Sequence, residues 1–216
     1  MGNCWRSSSE NEGININERL APMLDLSTKT KLTESDVEMI TKRIHVIEYN
    51  TKLYEKRNLQ SQRAKFLSAN NKKPNDQYLA LIRETKELEN EILETATEQV
   101  LKDYKVNIKI FKESIEVLNK EKIDSEVTKA LKEEITGLQM KLGLNEKKLG
   151  ELNVKYKDTY READFMLSSH PDIAQRLSLL FENELCLNSS DVIASDILYD
   201  EYKLLPIELV SFVNEY

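Results

Sequence analysis

The chain has four prolines, Pro22, Pro74, Pro171 and Pro206, and none between Asn75 and His170. Proline removes a backbone donor and clashes with the preceding helical turn, so an interval this long without one suits uninterrupted helices. Only 5 glycines occur in 216 residues, which leaves little of the turn punctuation that sheets and hairpins need. With 32% of residues charged, the expected class is all-α: a long antiparallel helical hairpin and coiled-coil helices with a small C-terminal helical region.

Four segments follow from local patterning. Residues 1–32, with Ser7, Ser8, Ser9, Gly13 and Pro22, lack a sustained period and read as a flexible arm. Thr33 followed three positions later by Asp36 is a helix-start signal, and Val37, Ile40, Ile44 and Ile47 then share one face. Ser68 to Asn75 reads SANNKKPN and predicts a reversal, making 33–122 a helical hairpin. Its second arm is expected to carry Leu81, Leu88 and Ile92, then a shifted stripe through Val100, Tyr104, Ile108, Phe111, Ile115 and Leu118.

After a break expected at Lys122–Ser125, residues 123–168 hold the cleanest period in the chain. Leu131, Ile135, Leu138, Leu142, Asn145, Leu149, Leu152 and Tyr156 alternate four and three apart, a heptad seam with one buried-type Asn and a candidate protein-binding surface for another helical protein or a second copy. Residues 169–216 read as an acidic region of short helices, with Leu177 to Leu185 in one, Ile193, Ile197 and Leu198 in another, and a third opened by Pro206.

Charge is distributed along the chain. Ile40 to Lys73 carries nine Lys/Arg against two Glu, whereas Pro171 to Tyr216 carries two Lys/Arg against nine Asp/Glu. Such opposite blocks attract each other within one molecule, solvate separate helix faces, or leave the basic one free for an anionic membrane surface. Lys42, Arg43, Lys52, Lys56, Arg57, Arg63, Lys65, Lys72 and Lys73 are the membrane-binding candidates in this block. The overall acidity argues against nucleic acid. Only His45 and His170 are present, without a phosphate loop or metal-ligand spacing, so no catalytic residues, no metal, no cofactor and no small-molecule substrate are expected. Two cysteines, Cys4 and Cys186, give no disulfide framework, and no apolar run spans a bilayer, so a cytoplasmic chain is expected.

The opening Met1-Gly2-Asn3-Cys4 is the sharpest motif. Removal of Met1 exposes Gly2 to myristoylation and places Cys4 for palmitoylation; two acyl chains hold a protein on a membrane where one binds only reversibly. Trp5 and Arg6 suit the interface that follows, although Arg6 stands where the motif favours Ser or Thr. Together these features predict a lipoprotein peripheral on the cytosolic face of a membrane, endosomal or plasma.

Leu32-Thr33-Glu34-Ser35-Asp36, Asn71-Lys72-Lys73 with Tyr78-Leu79-Ala80-Leu81-Ile82-Arg83 and Glu87-Leu88-Glu89, and Leu118-Asn119-Lys120 followed by Glu126-Val127 resemble passages of the ESCRT-III family, the charged multivesicular body proteins, whose myristoylated member also begins Met-Gly-Asn. The resemblance spans roughly residues 30–150. It implies monomers that open, bind membrane through the anchor and first hairpin, and polymerise to bend or sever it in endosomal protein transport. The C-terminal 46 residues depart from the family, lacking a clear acidic helix for its ATPase. The alternatives are a coiled-coil scaffold or tether of a larger complex, linking membrane to cytoskeleton, or a soluble assembly factor without lipid.

Overall fold

Thr33 caps the first helix: its Oγ1 accepts from the Asp36 amide at 3.2 Å while the Asp36 carboxylate accepts from the Thr33 amide at 2.8 Å. This reciprocal pair satisfies two of the amide groups that a helix start leaves open. It begins helix α1 (Glu34–Asn50) of a computed structural model that describes residues 24–118, 120–141, 144–181 and 187–213, with the side chains at 120, 121 and 138–141 outside the description. The other helices are α2 (Leu53–Ala69), α3 (Asp76–Asp103), α4 (Ile108–Glu116), α5 (Lys120–Lys141), α6 (Glu146–Ser168), α7 (Pro171–Phe181), α8 (Ser189–Tyr202) and α9 (Pro206–Val213). The fold is all-α, with no strand among the described residues.

The reversal falls at 70–75, where Asn71 and Lys72 adopt left-handed backbone and the Asn75 side chain caps α3 through the amides of Gln77 and Tyr78. Beyond it α3 returns antiparallel along α2 and α1; Lys52 meets Glu91 and Arg63 meets Thr85. The second pair of helices, α5 and α6, runs parallel to the first: Lys122 pairs with Glu34, Lys42 with Glu126, and Lys72 with Glu162.

Both double-helix arms break, the second about two turns further along than the first, since Asn50 lies beside Glu134. The first breaks at Thr51–Lys52, with Lys52 at φ 51°, and the second lies between Lys141 and Glu146. Below the breaks α5 packs directly on α1; above them α8 sits between α2 and α6 and packs on both, and α9 packs on α5, α6 and α8. The interior follows this division. One apolar cluster joins Val37, Ile40, Ile44, Val100, Tyr104, Val127, Ile135 and Leu152 to Leu209 and Phe212; a second, at the hairpin end, joins Leu67, Tyr78, Leu79 and Ile82 to Leu167, Leu177 and Ile193.

Three expectations change. The stripe to Leu118 is two helices, because Lys105 takes left-handed backbone at φ 56° and Asn107 caps α4 through the Lys109 amide. Ile108 and Ile115 consequently face solvent, while Phe111 is buried. The expected break at Lys122–Ser125 is helical; the seam is instead shared between α5, which ends at Lys141, and α6, which begins at Glu146, and Asn145 is an exposed helix cap accepting from the Lys148 amide rather than a buried core residue. Helices α8 and α9 contribute to both apolar clusters, so residues from 33–122, 123–168 and 169–216 meet in one interior. Leu185 and Cys186 lie outside the described residues.

Burial alone would raise the pKa of Asp36, but hydrogen bonds from Lys29 and Thr33 outweigh it and hold the carboxyl below its ordinary value. A depressed carboxyl binds fewer protons folded than unfolded, so its contribution is full above the ordinary carboxylate range and is lost as pH falls through the lower folded value. Asp36→Asn is expected to cost about 1 kcal/mol at neutral pH and to flatten the loss of stability as pH falls below roughly pH 5. Urea unfolding midpoints across that range measure it; equal acid slopes in both proteins would contradict the assignment.

Candidate functional site: the polar layer between α2 and the C-terminal helices

Helix α2 alternates apolar and polar residues without one clean apolar face, and its Gln60 and Arg63 side chains point into the protein. Arg63 is 3% exposed and grips Asp196 of α8, which is 0% exposed, through Nε at 2.8 Å and Nη2 at 3.0 Å. Its Nη1 donates to Thr85 Oγ1 at 2.6 Å, and Tyr78 Oη donates to the same carboxylate at 2.7 Å. Gln60 Nε2 donates to Ser195 Oγ at 2.9 Å, one turn further along α2. A second group lies at the start of α9. Glu208, fully buried, accepts from Tyr49 Oη at 2.8 Å, Arg57 Nη2 at 3.1 Å and the Leu205 amide at 2.8 Å.

Between these groups the Lys56 ammonium is buried and donates to the carbonyl of Glu48 at 2.7 Å. Burial pushes its pKa down, against the opposing pull of Glu48, Glu89 and Glu208. Burial likewise pushes the Asp196 carboxyl up against the pull of Arg63; for Arg63 burial acts downward, but the charge and hydrogen bonds of Asp196, together with Tyr78 and Glu89, outweigh it. Tyr49 and Tyr78 are both raised, first by burial and then by the carboxylates they contact. A cavity of about 210 Å³ opens beside Lys56, lined by Tyr49, Ile82, Phe181 and Ile207 among others. Every charged group of the layer is spent on a neighbour within the chain, so its chemistry is closure: cations of α2 locked to acids of α8 and α9. Among the described residues no group of three His, Cys, Asp or Glu could hold a metal ion.

The basic block is therefore mostly consumed. Arg43, Lys56 and Arg63 are buried, Arg43 lying over the Tyr104 ring at 5.9 Å. Lys42 pairs with Glu38 and Glu126, Lys52 with Glu91, Arg57 with Glu208, and Lys72 with Glu162. Lys65 and Lys73 are exposed at the hairpin end. The seam is also used internally: Leu131, Ile135, Leu149 and Leu152 are buried in the main cluster, and Tyr156 donates to Asp191. The side chain of Leu138 and the whole of Leu142 lie outside the described residues, as do Gly2, Cys4, Trp5 and Arg6. His45 sits beside Glu48 at 2.8 Å, and His170 lies in the connector between α6 and α7.

Asp196, Glu208, Tyr49, Tyr78, Gln60 and Ser195 were not singled out by motif. The signal for them was the opposite charge of the two blocks, which meet here within one molecule. Asp196→Leu is expected to cost about 3–5 kcal/mol by leaving a buried guanidinium unpaired, and adding Arg63→Met is expected to recover most of that loss. A double-mutant cycle from guanidinium unfolding measures the coupling; additive losses would show that the pair is not a unit. No family model, curated protein or solved structure matches the chain.

Proposed function

We propose that this chain is a non-enzymatic, N-terminally lipid-anchored helical protein that assembles on the cytosolic face of a membrane, with an ESCRT-III-like part in membrane remodelling or trafficking. The observation that carries the reading is the Met1-Gly2-Asn3-Cys4 start, ahead of an arm that joins the helical body at Leu24–Leu26. Among the described residues no helix is long and apolar enough to cross a membrane, so attachment through acyl chains is the compatible mode. The polar layer supports the monomer-opening part. Were α8 and α9 to leave α2, Lys56, Arg57 and Arg63 would lose their partners and present a cationic face to anionic lipid or to another copy.

The second reading, a coiled-coil scaffold or tether, draws on Val154 and Phe165, large apolar side chains that α6 leaves exposed. The two differ in what they do on lipid. Reversing Asp196 and Glu208 to lysine is expected to open the layer and yield polymers on acidic vesicles visible by electron microscopy; vesicles that stay bare or evenly coated favour the scaffold.

Attachment itself is tested first. Wild-type protein from its native cell is expected to carry an acyl mass on Gly2 and to float with membranes, and Gly2→Ala to remain in the soluble fraction. An anchor at Gly2 is wrong if the variant floats as well as the wild type.

A further inference from the structure

We propose that the surface the closed bundle lays into the membrane interface is the end formed by α4 and the Leu24–Leu32 segment, the cations of α2 being engaged inside the chain until it opens. The inference rests on the lipid-anchored reading and names the part of the body that touches the bilayer.

Large apolar side chains are exposed at this end: Leu24 is 54% exposed, Ile108 47%, Ile115 36% and Val117 67%. On α4, Ile108, Lys112 and Ile115 fall at i, i+4 and i+7 along one side, next to the buried Phe111 and Ser114, while Lys109, Glu113 and Glu116 lie on the side away from the core. A short helix held by the core on one side, with two exposed isoleucines along the edge of that side and charged residues beyond them, has the form of an interfacial element. Lys31, Lys102 and Lys112 are exposed here with no ion pair among the described residues, so their apolar stems can lie along a lipid surface while the ammonium groups reach the headgroups. Asp103 and Glu116 lie on the flanks, and Glu113 takes up Lys109, so the end has no strong positive excess and its attraction is apolar.

The course of the chain selects the occupant. The Leu26 amide donates to the Tyr104 carbonyl at 3.1 Å, Asp25 pairs with Lys105 at 2.6 Å, and the Leu32 amide donates to Ser114 Oγ at 3.4 Å. The polypeptide that begins at Gly2 therefore joins the body at the α3–α4 corner. The hairpin end, with Lys65 and Lys73, lies at the opposite end of α3, whose 28 residues span about 42 Å. Acyl chains held in a bilayer concentrate the α4 end near that bilayer, whereas a membrane at the hairpin end would require the arm to run back along the bundle.

Acylated full-length protein is floated with phosphatidylcholine vesicles and with vesicles also containing phosphatidylserine. Ile108→Glu/Ile115→Glu is expected to weaken binding about tenfold on both, and Lys65→Glu/Lys73→Glu to leave it unchanged. Loss only in the lysine variant, or undiminished binding of the isoleucine variant, overturns the inference while leaving the anchored reading intact. Acylated wild type that binds neither vesicle defeats both. Should the isoleucine variant lose its helical circular dichroism, an environment-sensitive dye on Ile115→Cys replaces it. Its emission is expected to shift blue on vesicles while the same dye on Lys65→Cys does not; the reverse pattern overturns the inference.

Discussion

A guanidinium removed from water must bring its counter-charge with it, and Arg63 has done so with a carboxylate that lies 133 positions away. That requirement places α8. To deliver Asp196 to Arg63 and Ser195 to Gln60, α8 lies against α2, and α6 cannot then pack on α2 as α5 packs on α1. The wedge separates the two arms above the breaks at Thr51–Lys52 and between Lys141 and Glu146, and α9 occupies the level where they part, with Glu208 answering Tyr49 and Arg57. Thr85 and Tyr78 bring α3 into the same layer, so one buried pair fixes the relative positions of three helices.

This arrangement reinterprets the charge blocks. Along the sequence the chain looks polarised, basic in front and acidic behind. In the fold the blocks lie side by side, and Arg63–Asp196 and Arg57–Glu208 are the points at which they cancel. The surface pairs around them, such as Lys155 with Glu201, add little individually because water and salt screen them. The buried pair differs: it contributes less as net attraction than as a penalty for any arrangement that separates its members.

Much of the fold was legible where side chains carry local instructions. The Thr33–Asp36 capping box, the turn cluster before Asn75 and the helix start at Pro206 all act within a few residues, and each appears where the sequence placed it. The breaks at Lys52 and Lys105 were not legible. Helices commonly stop at a glycine that accepts left-handed backbone, but here lysine adopts it, with Lys203 doing the same after α8. A lysine in a charged helix gives no hint of that role. Asn145 was ambiguous for a related reason, since a heptad core position and a helix cap both accept Asn, and only the register of α6 against α8 decides. Of the site, the sign of the charges was readable but not their direction. Counting lysines and arginines does not tell which are inside, and Ile108 and Ile115 were assigned inward by a period that the corner at Lys105 interrupts.

The sequence distances across the polar layer also set an order of events during synthesis. Asp196 follows Arg63 by 133 residues, and Glu208 follows Tyr49 by 159. At roughly 5–20 residues per second, the α1–α2–α3 hairpin is out on the order of ten seconds before the helices that close over it. For that interval Lys56, Arg57 and Arg63 remain hydrated, and the arm that precedes Leu24 is already made. Closure depends on long-range contacts, which form slowly for entropic reasons, so the arrival of α8 and α9 is the step that turns a solvated cationic hairpin into a sealed bundle.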